Sequence, residues 1–74
     1  MSRLVRMDQT GHTTIAEWRM DDPHSTRSAV AAFHAQLDEG CFAVVSEGEG
    51  HARQVRELPL EEPLVIMRRP IAGG

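Results

Sequence analysis

A single amphipathic helix, flanked on both sides by strand-like segments, is the feature that most constrains the fold. Asp22-Pro23 predicts its start, because an N-cap carboxylate precedes proline at the first helical position. Gly40 is the residue expected just past its end, and Gln36 is assigned to its polar side. Apolar residues recur between these limits at helical spacing and predict one stripe that faces a core: Ala29, Val30, Phe33 and Leu37.

Five segments around this helix predict strands, two before it and three after it. Gly11 closes the first turn, where it can take the positive φ of a bulged hairpin. Ile15 and Trp18 cannot share a face of a regular strand, so a bulge is expected near Ala16-Glu17. The predicted strands are 3–7, 12–19, 41–45, 51–58 and 64–69.

This element order predicts an α+β fold of the form ββαβββ. A helix that follows one hairpin and precedes the remaining strands must lie across one face of a mixed sheet. We therefore expect one domain over residues 1–69 and a flexible C-terminal tail over residues 70–74. The chain has 74 residues, which suffices for one small core.

The last predicted strand is apolar on both faces. Leu64 and Ile66 point one way, while Val65 and Met67 point the other. One face is expected to meet the helix. The other is either covered as well or exposed as a docking surface, and the residues alone leave both alternatives open.

Charge and composition exclude several classes of function. The net charge is −3 and the eight basic residues are scattered, so we expect no nucleic-acid partner. No apolar stretch approaches the roughly 20 residues of a membrane span. The single cysteine, Cys41, is consistent with a reducing cytoplasm, and we expect a cytoplasmic monomer.

Every basic residue is arginine, and lysine is absent. One explanation is a codon bias that favours arginine. The other is that a protein handled by amide-forming enzymes gains from offering no side-chain amine.

We expect no metal site and no catalytic residue in this chain. The four histidines share no ligand spacing, and Cys41 lacks a CxxC partner. Cys41 at a strand start is better explained as a small buried apolar side chain than as a nucleophile.

The C-terminus ends in two glycines directly after the last strand. Glycine lacks Cβ, so Gly73 and Gly74 can be drawn through a channel too narrow for any side chain. This arrangement indicates that the working group is the terminal carboxylate. Residues 65–74 (VIMRRPIAGG) and the Thr10-Gly11-His12-Thr13 turn with Glu17 are the parts that carry a family resemblance.

With these features the chain resembles the ubiquitin-like β-grasp proteins, including the molybdopterin-synthase small subunit and the thiamine-pathway sulfur carrier. The hairpin is similar to the first hairpin of ubiquitin, and the ending is similar to that of bacterial sulfur carriers. Arg68 and Arg69 depart from that ending, where apolar residues and proline are common. The segment after the helix is also shorter than in ubiquitin.

The resemblance implies that a ubiquitin-activating-type enzyme adenylates Gly74 with ATP and magnesium, while this chain binds no cofactor itself. The product then passes to a target protein, or to a sulfur-accepting synthase as a thiocarboxylate. A binding module that docks through its sheet face is the alternative. The residues expected to contact the partner are Ile66, Arg68, Arg69, Pro70, Ile71 and Ala72, and those activated are Gly73 and Gly74.

Overall fold

The structure is a computed structural model that describes residues 1–9 and 11–70. Within these residues, five strands and one helix follow the predicted order, so the chain is an α+β protein with a mixed sheet. The elements are β1 (Ser2–Asp8), β2 (Gly11–Trp18), α1 (Pro23–Asp38), β3 (Phe42–Ser46), β4 (Ala52–Val55) and β5 (Leu64–Arg68).

The five strands form one sheet in the order β2-β1-β5-β3-β4. β1 pairs with β5 in parallel, and every other neighbouring pair is antiparallel. The last strand of the sequence therefore lies at the centre of the sheet, between the first strand and the third.

The ends of α1 confirm the sequence prediction, but its buried face differs from the predicted stripe, because Gln36 and Ala32 pack against the core and Val30 does not belong to the core cluster. The Asp22 side chain accepts hydrogen bonds from the backbone N–H groups of His24 and Ser25, at 3.1 and 3.3 Å. Gly40 has a φ of 96°, a left-handed conformation that favours glycine. The assignment of Gln36 to the polar side is wrong, because Gln36 is only 7% exposed.

The bulge in β2 lies one residue earlier than predicted. Leu4 pairs with Ala16 and Val5 pairs with Thr14, which leaves Ile15 as the extra residue. Because both residues of a bulge oppose one partner, Ile15 and Ala16 both pack against the core beside Leu4. The extra residue also shifts the alternation of side chains along β2, so that Trp18 points to the core, where it is 1% exposed.

The fourth strand is shorter than the predicted 51–58, because it ends at Val55. The chain turns out of the sheet after this residue, and Leu58 and Leu60 pack against the core instead. Trp18 Nε1 donates a hydrogen bond of 2.9 Å to the Leu60 carbonyl oxygen, which holds this connector in place. Tertiary packing thus overrides the alternating pattern that predicted a longer strand.

The core lies between α1 and one face of the sheet. Its residues are contributed by the helix, by every strand and by the residue that precedes β3: Leu4, Trp18, Ala29, Phe33, Cys41, Ala43, Val45, Val55, Val65 and Met67.

Candidate functional site

The alternation of β5 divides its side chains between two surfaces. Val65 and Met67 are fully buried beneath α1. Leu64 is 41% exposed and Ile66 is half-buried, and both lie on the face away from the helix. The predicted division of this strand is confirmed.

Ile66 lies in the middle of an apolar row that crosses the sheet on this second face. It pairs with Val5 of β1 and with Val44 of β3. Thr14 continues the row beyond Val5, and Gln54 continues it beyond Val44. Paired residues in neighbouring strands point to the same face, so three aliphatic side chains stand together between two polar ends.

A second row lies closer to the C-terminal end of β5. Arg68 pairs with Met7 on one side and with Phe42 on the other, and His12 stands opposite Met7. Together the apolar residues of this side of the sheet form what we call the outer face: Val5, Met7, Phe42, Val44, Leu64 and Ile66.

The outer face is uncovered in the part of the chain that the structure describes. The one helix among residues 1–9 and 11–70 packs on the opposite side, where Phe33 meets the core. Val5 is only 7% exposed, yet it does not belong to the core cluster, because its side chain points away from α1. Met7 is 38% exposed. An uncovered apolar patch of this kind is typical of an interaction surface.

Cationic side chains border the outer face at both ends. Arg3 stands beside Leu64 and opposite Glu17, while Arg68 stands beside Met7. Within the described residues, neither arginine forms an ion pair. Arg68 therefore adds positive charge at one end of the outer face, whereas the Glu17 carboxylate stands opposite Arg3 at the other end.

The two arginines at the end of β5 lie on opposite sides of the sheet. Arg68 belongs to the outer face, but Arg69 points to the helix side, where its Nη2 lies 4.0 Å from Glu39 Oε1. Pro70 is exposed and is the last described residue. The remaining predicted site residues, Ile71 to Gly74, lie outside the described residues.

Cys41 lies in the core and is 5% exposed, as the sequence predicts for a small apolar side chain. Its Sγ lies 3.7 Å from Gln36 Oε1. In residues 1–9 and 11–70, no three side chains of His, Cys, Asp or Glu approach one another as metal ligands would.

Sequence reasoning missed two parts of this site. Val5, Phe42 and Val44 join Ile66 only through non-local strand pairing, although β3, like β5, already reads as apolar on both faces. The contact of Glu39 with Arg69 could not be predicted from the sequence, since a charged residue after a helix is normally solvated.

A comparison of the chain with family models, curated proteins and solved structures finds no match. The described residues hold no helix with the length and apolar character that crossing a membrane requires.

Proposed function

We propose that this chain is a ubiquitin-like β-grasp protein whose Gly74 carboxylate is activated by an ATP-dependent adenylating enzyme. The activated chain is then conjugated to a target protein, or it is converted to a thiocarboxylate and serves as a sulfur carrier. The observation that carries the proposal is the position of β5, which lies at the centre of the sheet and ends at Arg68, shortly before Gly73-Gly74 in the sequence. Support for the β-grasp assignment comes from the sheet order and the single helix on one face.

Activation solves a chemical problem of the free carboxylate. A carboxylate is a poor acyl donor, because it is negatively charged and lacks a good leaving group. In the proposed reaction, a carboxylate oxygen of Gly74 bonds to the α-phosphorus of ATP, and pyrophosphate leaves. In the conjugation branch, a cysteine thiolate of the partner adds to the carbonyl carbon and AMP leaves; an amine of the target then displaces that thiolate and loses a proton, which gives the amide. In the sulfur-carrier branch, a hydrosulfide ion adds to the carbonyl carbon and AMP leaves, which gives the thiocarboxylate and a proton. The chain contributes the acyl group and is not itself an enzyme, and the magnesium and ATP belong to the activating partner.

The outer face gives the activating enzyme a surface to recognise. Ile66 lies at its centre and Arg68 at its C-terminal border, one residue before Arg69 and two before Pro70. An enzyme that contacts this face thus holds the chain within a few residues of the carboxylate. An extended segment of five residues spans about 17 Å, which suits delivery of Gly74 into a partner's active site.

The absence of lysine agrees with the conjugation branch of the proposal. A modifier without side-chain amines is not built into isopeptide-linked chains on itself, which favours attachment one copy at a time. We place the protein in the cytoplasm as a monomer, since the one thiol, Cys41, is free and buried.

Intact mass spectrometry after incubation with ATP and a cognate activating enzyme, or a lysate that activates a control protein, tests the proposal. Replacement of one oxygen by sulfur identifies a sulfur carrier, and a covalent adduct on another protein identifies a modifier. Removal of Gly73-Gly74 is expected to abolish either product. An unmodified full-length chain, alongside an activated control protein, would contradict the proposal.

A second candidate function is a non-conjugated binding module that docks through the outer face. The exposure of Met7 and Leu64, which flank the apolar row of Val5, Ile66 and Val44 on the face away from the helix, favours it directly. In that case partner binding survives removal of Gly73-Gly74 but is lost when Ile66 is replaced by a polar residue.

A further inference from the structure

A chain of polar contacts links Arg69, just after β5, to the C-terminal end of α1 and to the buried residues Gln36 and Cys41. Arg69 Nη2 lies 4.0 Å from Glu39 Oε1, and Glu39 Oε2 accepts a hydrogen bond of 3.2 Å from Gln36 Nε2. Gln36 Oε1 in turn lies 3.7 Å from Cys41 Sγ. We call these four residues the helix-end network.

The inner half of this network is fixed by burial and by the backbone. Gln36 and Cys41 are 7% and 5% exposed. The Gln36 carbonyl oxygen accepts hydrogen bonds from the backbone N–H groups of Cys41 and Glu39, at 3.1 and 3.2 Å. The amide of Gln36 therefore holds the Glu39 carboxylate from its inner side, and the other carboxylate oxygen is free to face Arg69.

Arg69 lies where its side-chain contact can restrict the backbone, because it directly precedes Pro70. A residue before proline is restricted to extended conformations, while proline itself has a fixed φ near −65°. Because so few backbone torsions remain free at this point, a contact that holds the Arg69 side chain also limits the positions that Pro70 can take.

We infer that Glu39 is a positioning residue, which acts through Arg69 to fix the direction in which the chain leaves β5. Arg69 and Arg68 then have different roles: Arg69 holds the chain just after β5 against the helix, and Arg68 remains available to a partner at the outer face. An effect of Glu39 on activation of Gly74 rests on the proposed function. The ordering of Arg69 by Glu39 does not depend on that function.

Solvent exposure decides what this contact can do. The side chains of Arg69 and Glu39 are 60% and 51% exposed, so water and salt screen the pair. We therefore expect an effect on the order of Arg69 and Pro70 and little effect on the stability of the fold.

The first experiment measures ¹⁵N relaxation of the arginine Nε–Hε groups in the full chain. The Arg69 group is expected to be more ordered than the Arg68 group, and Glu39→Gln is expected to lower the order of Arg69 to that of Arg68. Asp38→Asn removes a neighbouring charge without touching the network and should change nothing. About 1 M salt, where the Debye length is about 3 Å, should act like Glu39→Gln. Equal order of the two arginines in the unmodified chain would overturn the inference.

The second experiment measures pyrophosphate exchange with the activating enzyme. Glu39→Gln is expected to raise KM by up to about fivefold, which is the limit for an exposed ion pair, and to leave kcat unchanged. The control Asp38→Asn is expected to change neither KM nor kcat. Loss of Arg69 order without a change in KM would overturn the role in activation. Exchange that is absent even for the unmodified chain would refute the proposed function, while the relaxation result would still decide the geometry.

Discussion

Trp18 and Leu60 are joined by a hydrogen bond of 2.9 Å from the indole Nε1 to the carbonyl oxygen, across 42 residues of sequence. The bond connects the end of β2 to the connector between β4 and β5. Trp18 is 1% exposed, and its ring belongs to the core that Leu60 helps to close. The one polar group of the Trp18 ring thus has a hydrogen-bond partner at the border of the core, as buried indoles usually do.

Trp18→Phe is expected to lower the free energy of unfolding by about 1–3 kcal/mol, because it removes the donor, leaves a carbonyl oxygen unpaired and creates a small cavity. Urea denaturation followed by circular dichroism checks this. Met20→Leu, at a side chain that is 64% exposed, serves as the control and should leave the midpoint unchanged. An unchanged midpoint for Trp18→Phe would show that the bond contributes nothing.

Two methionines on opposite faces of the sheet provide a matched pair. Met67 is fully buried beneath the helix, whereas Met7 is 38% exposed on the outer face. Met67→Ala is expected to cost about 2–5 kcal/mol of stability, and Met7→Ala about 0.5 kcal/mol or less. Equal losses in thermal or urea unfolding would mean that the outer face is covered in solution.

The start of α1 depends on the Asp22 carboxylate, which accepts two backbone hydrogen bonds. Asp22→Ala is expected to destabilise the protein by about 0.5–2 kcal/mol. Asp21→Ala provides the control, since Asp21 has the same charge but contacts only the exposed side chain of Arg19. Chemical denaturation of the two variants should separate them, and a similar loss in both would argue against the cap.

The local parts of the fold could be predicted from the sequence, and the non-local parts could not. Asp22-Pro23 and Gly40 bracket the helix correctly, because capping depends only on neighbouring residues. The burial of Gln36 escaped prediction, because a periodicity of apolar residues ignores an amide, and because its side chain is buried only when the helix packs against the sheet.

The same distinction applies to the candidate site. The alternation of β5 predicted an apolar second face that holds Leu64 and Ile66, and Ile66 and Arg68 were already expected to contact a partner. Which residues surround them depends on the parallel pairing of β1 with β5 and on the antiparallel pairing with β3. Pairing between strands that are distant in sequence follows from closure of the whole core, so no local pattern encodes it.

Ile66→Thr separates recognition by the outer face from chemistry at the terminus. Threonine keeps the β-branched shape that suits a central strand, so the fold should survive while a buried apolar contact with the partner is lost. Affinity for the activating enzyme, measured by calorimetry, is expected to fall about tenfold or more if Ile66 lies at the centre of the contact. Gln54→Ala, at the polar end of the same row, should have little effect.

Removal of Gly73-Gly74 completes this comparison, because it leaves every described residue in place. If the carboxylate is the working group, the shortened chain is expected to bind the activating enzyme through the outer face but to form no adenylate. If the protein is a binding module, the shortened chain retains its full function, and Ile66→Thr alone impairs it. A shortened chain that still supports pyrophosphate exchange would contradict activation at Gly74. The two variants together therefore assign the outer face and the terminus to separate steps, because each one removes a different physical interaction.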